Sequence, residues 1–177
     1  MQIETKIKDL INKNGPISLS RYMEICLWDE ENGYYNSKEV LGEKGDFITS
    51  PEISQTFGEL VGLWALNFHQ QFINKKRFCI TELGPGRGTL LNDASRAISK
   101  VINKQFDLDI TVLEKSQTLI NLQKETLNNI NVRWISDIKK LSLEPQIIIA
   151  NEFFDALPIN QYVRGNEGWH EKKVTIK

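Results

Sequence analysis

The sequence predicts an α/β fold, a mainly parallel sheet preceded by a helical N-terminal region. Four short apolar runs, at residues 78–83, 110–113, 132–135 and 146–150, alternate with helical patterns. Alternation of that kind implies βαβ units with right-handed crossovers. A glycine-bearing turn, Gly84-Pro85-Gly86-Arg87-Gly88, follows the first run and opens a helix. The uninterrupted Ile147-Ile148-Ile149 fits a strand covered on both faces, as strands of parallel sheets are.

The elements follow in order. Ile3, Ile7, Leu10 and Ile11 fall on one helical face, and Asn14-Gly15-Pro16 ends that helix. Ser18 or Ser20 can cap a second short helix that carries Tyr22, Met23, Cys26 and Leu27 and ends near Asp29. Asn32-Gly33 signals a turn. Residues 42–52, GEKGDFITSPE, read as a polar loop whose Ser50-Pro51 starts a helix running on through Phe57, Leu60, Val61, Trp64, Phe68 and Phe72. Its apolar content predicts burial beneath a sheet, with a packing role for the aromatics. Gly58 and Gly62 leave a groove on it where another element approaches closely. Further helices are expected at 89–101 and 117–127, and a shorter connection at 137–143. Residues 161–164 and 173–176, around Gly165-Asn166-Glu167-Gly168, read as a hairpin. The organisation is thus a helical region with a loop over residues 1–75, then a sheet-bearing region over 76–177.

Composition bounds the function. The 177 residues carry 22 Lys plus Arg against 23 Asp plus Glu, a formal charge of -1. No broad attraction to nucleic acid or to an anionic membrane follows from that balance. With 40% hydrophobic and 25% charged residues the chain has the composition of a folded soluble domain. Cys26 and Cys79 are isolated, and with only His69 and His170 beside them the ligand set of a structural zinc site is missing. No stretch is long and apolar enough to span a bilayer, and the start of the chain resembles neither a signal peptide nor a transit sequence. The expected compartment is the cytoplasm.

The sharpest feature is Thr81-Glu82-Leu83-Gly84-Pro85-Gly86-Arg87-Gly88-Thr89. Glycines there let the backbone turn tightly and let a ligand lie against the main chain at the carboxyl edge of the sheet. Glu114 ends the second strand, where a carboxylate can take both hydroxyls of a ribose. Together they fit an adenosine-containing cofactor. A dinucleotide turn would need glycine at position 89, where this chain has Thr89, and no lysine follows in the manner of a P-loop. Asp137, after the third strand, either accepts from an adenine amine or caps the following turn. Asn151-Glu152-Phe153-Phe154-Asp155-Ala156-Leu157-Pro158, past the fourth strand, places an amide, two carboxylates and two phenyl rings over the same edge. Their other reading is aromatics in the core and acids in solvent.

Four motifs in order, GPISLSRYMEICLWDEENGYY, GDFITSPEISQTFGE, ELGPGRGTL and NEFFDALP, resemble the MidA family of class I S-adenosylmethionine-dependent methyltransferases. That family includes a protein arginine methyltransferase of respiratory complex I assembly. The resemblance runs from about Leu10 to Trp169 and implies a Rossmann-like sheet with S-adenosylmethionine as cofactor. It implies that Gly84, Gly86 and Gly88 form the loop under the methionyl part and that Glu82 organises the turn and the amino group. Glu114 would hold the ribose, with Asp137 near the adenine. Asp46, Thr49, Ser50 and Glu52 would close over the cofactor, and Asn151, Glu152 and Asp155 would face the methyl acceptor. Glu152 is the first candidate to position and deprotonate an arginine, and Asp155 the second. The implied partner is a protein substrate, a complex I subunit, with no nucleic acid, no membrane insertion and no metal. The class I fold has seven strands and four are legible, so the apolar edge at 147–149 calls for a second polypeptide or self-association. A non-catalytic assembly scaffold and a nicotinamide-dependent enzyme are the competing readings.

Overall fold

The computed structural model describes residues 2–36, 50–102 and 107–177. They form two compact units, Met1–Val40 with Phe154–Lys177, and Leu41–Phe153. The units do not follow the boundary at residue 76, because the helix before the sheet packs with the sheet and residues 154–177 group with the N-terminal segment.

In the first unit, α1 (Ile3–Asn14) ends at Gly15, whose φ of 78° is open to glycine and whose N–H donates to Ile11 O. β1 (Ile17–Ser18) leads into α2 (Leu19–Trp28), which Ser18 caps by accepting the Arg21 N–H at 3.1 Å. Lys6 of α1 pairs with Asp29 at the end of α2. Gly33 lies so close to Asp29 that a Cβ would come within 2.4 Å of its backbone nitrogen, which explains the glycine of Asn32-Gly33.

The second unit starts with α3 (Ser50–Ile53) and α4 (Gln55–Phe68). The single helix expected from Ser50 is therefore broken, at Ser54, whose φ of -147° is extended. Beyond Phe68 the chain adds a wide π turn over His69–Ile73 and stops at Asn74, which is left-handed. β2 (Arg77–Leu83), α5 (Thr89–Val101), β3 (Asp107–Leu113), α6 (Gln117–Thr126), β4 (Val132–Ile135) and β5 (Gln146–Ile149) follow. All pairings are parallel, in the order β4-β3-β2-β5, with Glu82 opposite Val112 and Ile149. The order reverses at β2, where an open α/β sheet forms its ligand crevice.

Phe78, Ile80, Ile110, Val112 and Ile147 from alternate strand positions pack with Ala65 and Leu66 of α4, Leu91 and Ile98 of α5, and Leu127. The strand period of two thus turns one sheet face towards α4, α5 and the residue that follows α6. α4 meets α5 through small residues. A Cβ on Gly58 would lie 2.8 Å from Asp93 Cβ, and one on Gly62 2.7 Å from the Ala94 backbone. Burial of the α4 aromatics is not what the structure shows. Trp64, Phe68 and Phe72 are 58%, 38% and 70% exposed and lie ring to ring, at 5.6 and 4.7 Å between centroids. The helix has an apolar residue on almost every side, and the close approach demanded by its glycines decides which side turns inward.

The C-terminal part of the first unit carries β6 (Tyr162–Gly165), β7 (Gly168–Glu171) and β8 (Lys173–Val174). β6 and β7 form the hairpin, turning at Asn166-Glu167. The second arm is therefore Gly168–Glu171, and the 173–176 segment expected there instead pairs antiparallel with β1. Trp28 Nε1 donates to Ala156 O at 3.3 Å within the same unit. Among the described residues no helix is long and apolar enough to cross a membrane, and Cys26 and Cys79 are free thiols.

Candidate functional site

The carboxyl ends of β2, β3 and β5 bring the sequence motifs of the second unit to one edge. After Leu83 the chain turns through Gly84, Gly86 and Gly88, with φ of 59°, 57° and 86°. Three left-handed positions in five residues explain the spacing, since each would strain any residue with a Cβ. The Gly84 N–H donates to Leu113 O at 3.0 Å, and the Gly88 N–H to Pro85 O at 2.8 Å. Gly84 is doubly constrained, because a Cβ there would sit 2.6 Å from the Phe153 ring. The contact brings Phe153 onto the glycine turn.

Glu82, one residue before Leu83, is buried, and its Oε2 has no hydrogen-bond partner among the described residues. Burial pushes its carboxyl up to about 8. A buried acid with an idle oxygen beside a half-buried glycine turn suits a cationic or donating ligand group.

Glu114 is also buried. Its Oε1 accepts the N–H groups of Lys115 at 2.7 Å and Ser116 at 2.9 Å, and its Oε2 accepts from Gln123 Nε2 at 3.3 Å. Burial raises its pKa, against the pull of those three donors. Among the described residues these three donors leave one acceptor direction on Oε2, which suits a ligand hydroxyl.

Glu52, in α3, accepts from the Thr89 hydroxyl at 2.6 Å, so the loop motif reaches the first turn of α5. Ser50 opens α3 and is exposed. Asp46 and Thr49 lie outside the described residues. Asp137 is exposed and caps the 3-10 turn Ile138–Lys140, accepting the Lys139 N–H at 2.9 Å. Asn151 is half-buried and Glu152 exposed, immediately past β5. Glu152 has a φ of 47°, a left-handed conformation in a residue with a full side chain. Asp155 is exposed in the turn Phe154–Ala156 and belongs to the other unit. Gln123 is the site residue that sequence reasoning missed. It is fully buried and touches Gly86, Glu114 and Trp134, and a lone glutamine in a helix carries no motif.

Comparison with known proteins identifies the family. A family described as "Putative S-adenosyl-L-methionine-dependent methyltransferase" matches residues 60–177. The mitochondrial protein arginine methyltransferase NDUFAF7 of Bos taurus is 36% identical over 190 residues, covering 94% of this chain and 43% of its own length. The NDUFAF7 homolog of Caenorhabditis elegans, also named mitochondrial, is 33% identical over 192 residues, covering 95% and 45%. A COG1565 superfamily protein of Burkholderia thailandensis, solved with S-adenosyl-homocysteine, superposes with a TM-score of 0.80 at 25% identity, over 99% of this chain and 46% of that one. The chain thus spans under half the length of the relatives it matches. The mitochondrial names overturn the cytoplasmic expectation. Compartment is set by an address that receptors read, and the composition of a folded domain does not encode it.

Proposed function

The chain belongs to the S-adenosyl-L-methionine-dependent methyltransferase family that matches its residues 60–177, and on that premise we propose that it builds the cofactor-binding half of a protein arginine methyltransferase. One observation carries the reading. The three left-handed glycines lie between two buried carboxylates, each with an open acceptor position, at the point where the strand order reverses. That donor and acceptor set fits S-adenosylmethionine, which offers an ammonium, a ribose and a carboxylate and needs close main chain.

In this reading Gly84, Gly86 and Gly88 lie under the methionyl part, and Glu82 receives its ammonium through the idle Oε2. Glu114 accepts from the ribose, and Asp137 stands near the adenine with its capping oxygen already engaged. Ser50 and Glu52, with Asp46 and Thr49, cover the cofactor. The cofactor supplies an electrophilic methyl on a sulfonium, an excellent leaving group, so the protein's task is alignment and exclusion of water. A guanidinium is a poor nucleophile while its lone pairs are delocalised. Glu152, beside Asn151, hydrogen-bonds it, localises a lone pair and takes up the proton released on transfer, and Asp155 is the second candidate for that role.

The arginine acceptor is supported by the name of the relatives, and its host, an assembling complex I subunit, by the family resemblance. No strand pairs with the outer edge of β5 among the described residues, and Ile148 there is 48% exposed. The proposal therefore includes a further strand on that edge, from a longer polypeptide, a second polypeptide or another copy. The scaffold reading draws support from the exposed aromatics of α4.

Calorimetric titration with S-adenosylmethionine, with NADH as control, tests the cofactor. Binding of the first alone is expected, and a folded protein that binds neither sinks the proposal. Glu152→Gln should abolish methyl transfer to protein arginine by the complete enzyme and leave cofactor affinity within about twofold, since only a proton acceptor is removed. Unchanged turnover would remove Glu152 from the mechanism.

A further inference from the structure

Gln123 of α6 has no exposed surface, yet it is polar. Both N–H groups of its amide and one acceptor direction of its oxygen are used. Nε2 donates to Gly86 O at 2.9 Å and to Glu114 Oε2 at 3.3 Å, and Oε1 accepts from Trp134 Nε1 at 3.0 Å. Three elements that carry or flank the proposed cofactor site thus meet on one side chain: the glycine turn, the acid that ends β3, and β4. A hydrophobic residue of the same size would fill the space and take a partner from one buried and two half-buried residues, Glu114, Gly86 and Trp134. The glycine turn is in addition packed onto this side chain, for a Cβ on Gly88 would lie 3.7 Å from Gln123 Cγ.

From this convergence we propose that Gln123 is a positioning residue, fixing the Glu114 carboxylate against the glycine turn so that one oxygen, Oε2, is presented to a single hydroxyl of the ligand's ribose. The inference rests on the cofactor reading above. Oε1 is saturated by the Lys115 and Ser116 N–H groups, so the carboxylate pivots about that anchor. The Gln123 amide removes the pivot by filling one of the two acceptor directions on Oε2 and aiming the other. Its bond to Gly86 O keeps the same amide in register with the turn, and the Trp134 N–H prevents the amide from rotating end for end, because only its oxygen can accept there. Gln123 touches the two groups that hold the ligand and is not required to touch the ligand.

The test measures discrimination as well as affinity. Adenosine and 2′,3′-dideoxyadenosine are titrated calorimetrically into the wild-type chain, Gln123→Met and Trp134→Phe, with S-adenosyl-homocysteine as the reference ligand. The wild type is expected to prefer adenosine by about tenfold or more, the worth of one hydrogen bond to a buried carboxylate. In Gln123→Met the preference should collapse towards unity, and in Trp134→Phe, which removes only the outer anchor, it should fall by a smaller factor. A purely structural role would weaken both nucleosides equally and leave the ratio unchanged, and that result overturns the inference while the cofactor reading stands. Failure of the wild type to bind S-adenosyl-homocysteine overturns the cofactor reading and the inference together. If Gln123→Met does not fold, circular dichroism shows it and Trp134→Phe decides, an unchanged ratio again counting against.

Discussion

Replacing Glu82 with glutamine is predicted to stabilise the protein by an amount that grows as pH rises. The side chain is 2% exposed, one of its oxygens has no partner among the described residues, and burial carries its pKa from 4.5 to about 8. The unfolded chain gives up this proton near pH 4.5, whereas the folded protein holds it to about pH 8. Between those values the native state binds more protons than the unfolded state, so stability falls as pH rises. The loss is absent below the lower value and complete above the upper one. At about 1.4 kcal/mol for each pH unit it reaches roughly 3 kcal/mol at pH 7 and about 5 kcal/mol in full. Glutamine has the shape of the protonated carboxyl and cannot ionise. Urea unfolding of the wild type and Glu82→Gln across this range should show curves of equal slope m. The gap in stability between them should widen by about 1.4 kcal/mol per pH unit. A gap that stays constant with pH would refute the argument, for it would mean that Glu82 ionises alike in the folded and unfolded chains.

Two further substitutions test the glycines. Gly84→Ala should cost about 2–4 kcal/mol, combining a left-handed alanine with displacement of the Phe153 ring. Chemical unfolding measures it, and Phe153→Ala in the same chain should restore part of the loss. Gly62→Ala should cost about 1–3 kcal/mol through overpacking against the Ala94 backbone, in spite of alanine's better helix propensity; a rise in melting temperature would show that α4 and α5 can separate freely.

Much of this fold was legible because local chemistry and tertiary structure agree. The apolar runs became the four parallel strands, Gly15 and Ser18 bound their helices as their backbone chemistry requires, and the glycine turn took the left-handed angles its composition allows. The face of α4 was misread, since apolar residues on all sides give no clean period. The informative signal was the row of small residues Gly58, Gly62 and Ala65, which mark where a neighbour's backbone comes close. The hairpin partner was misplaced because 168–171 and 173–176 are both short polar-apolar segments, and only pairing in space separates them. Gln123 was invisible for a different reason. Its importance lies in the convergence of residues 86, 114 and 134, which spacing along the chain does not record.

The two glycines of α4 also have a mechanical meaning. With no side chain between them, α4 and α5 touch main chain to main chain, a contact with nothing soft enough to absorb a shift. The first turn of α5 is the far end of the glycine turn, and Thr89 there is already tied to α3 through Glu52. The turn is thus carried at the end of a stiff arm whose other end is the outer, aromatic-lined helix. A displacement of that helix is therefore expected to reach the glycine turn through main-chain contact with α5.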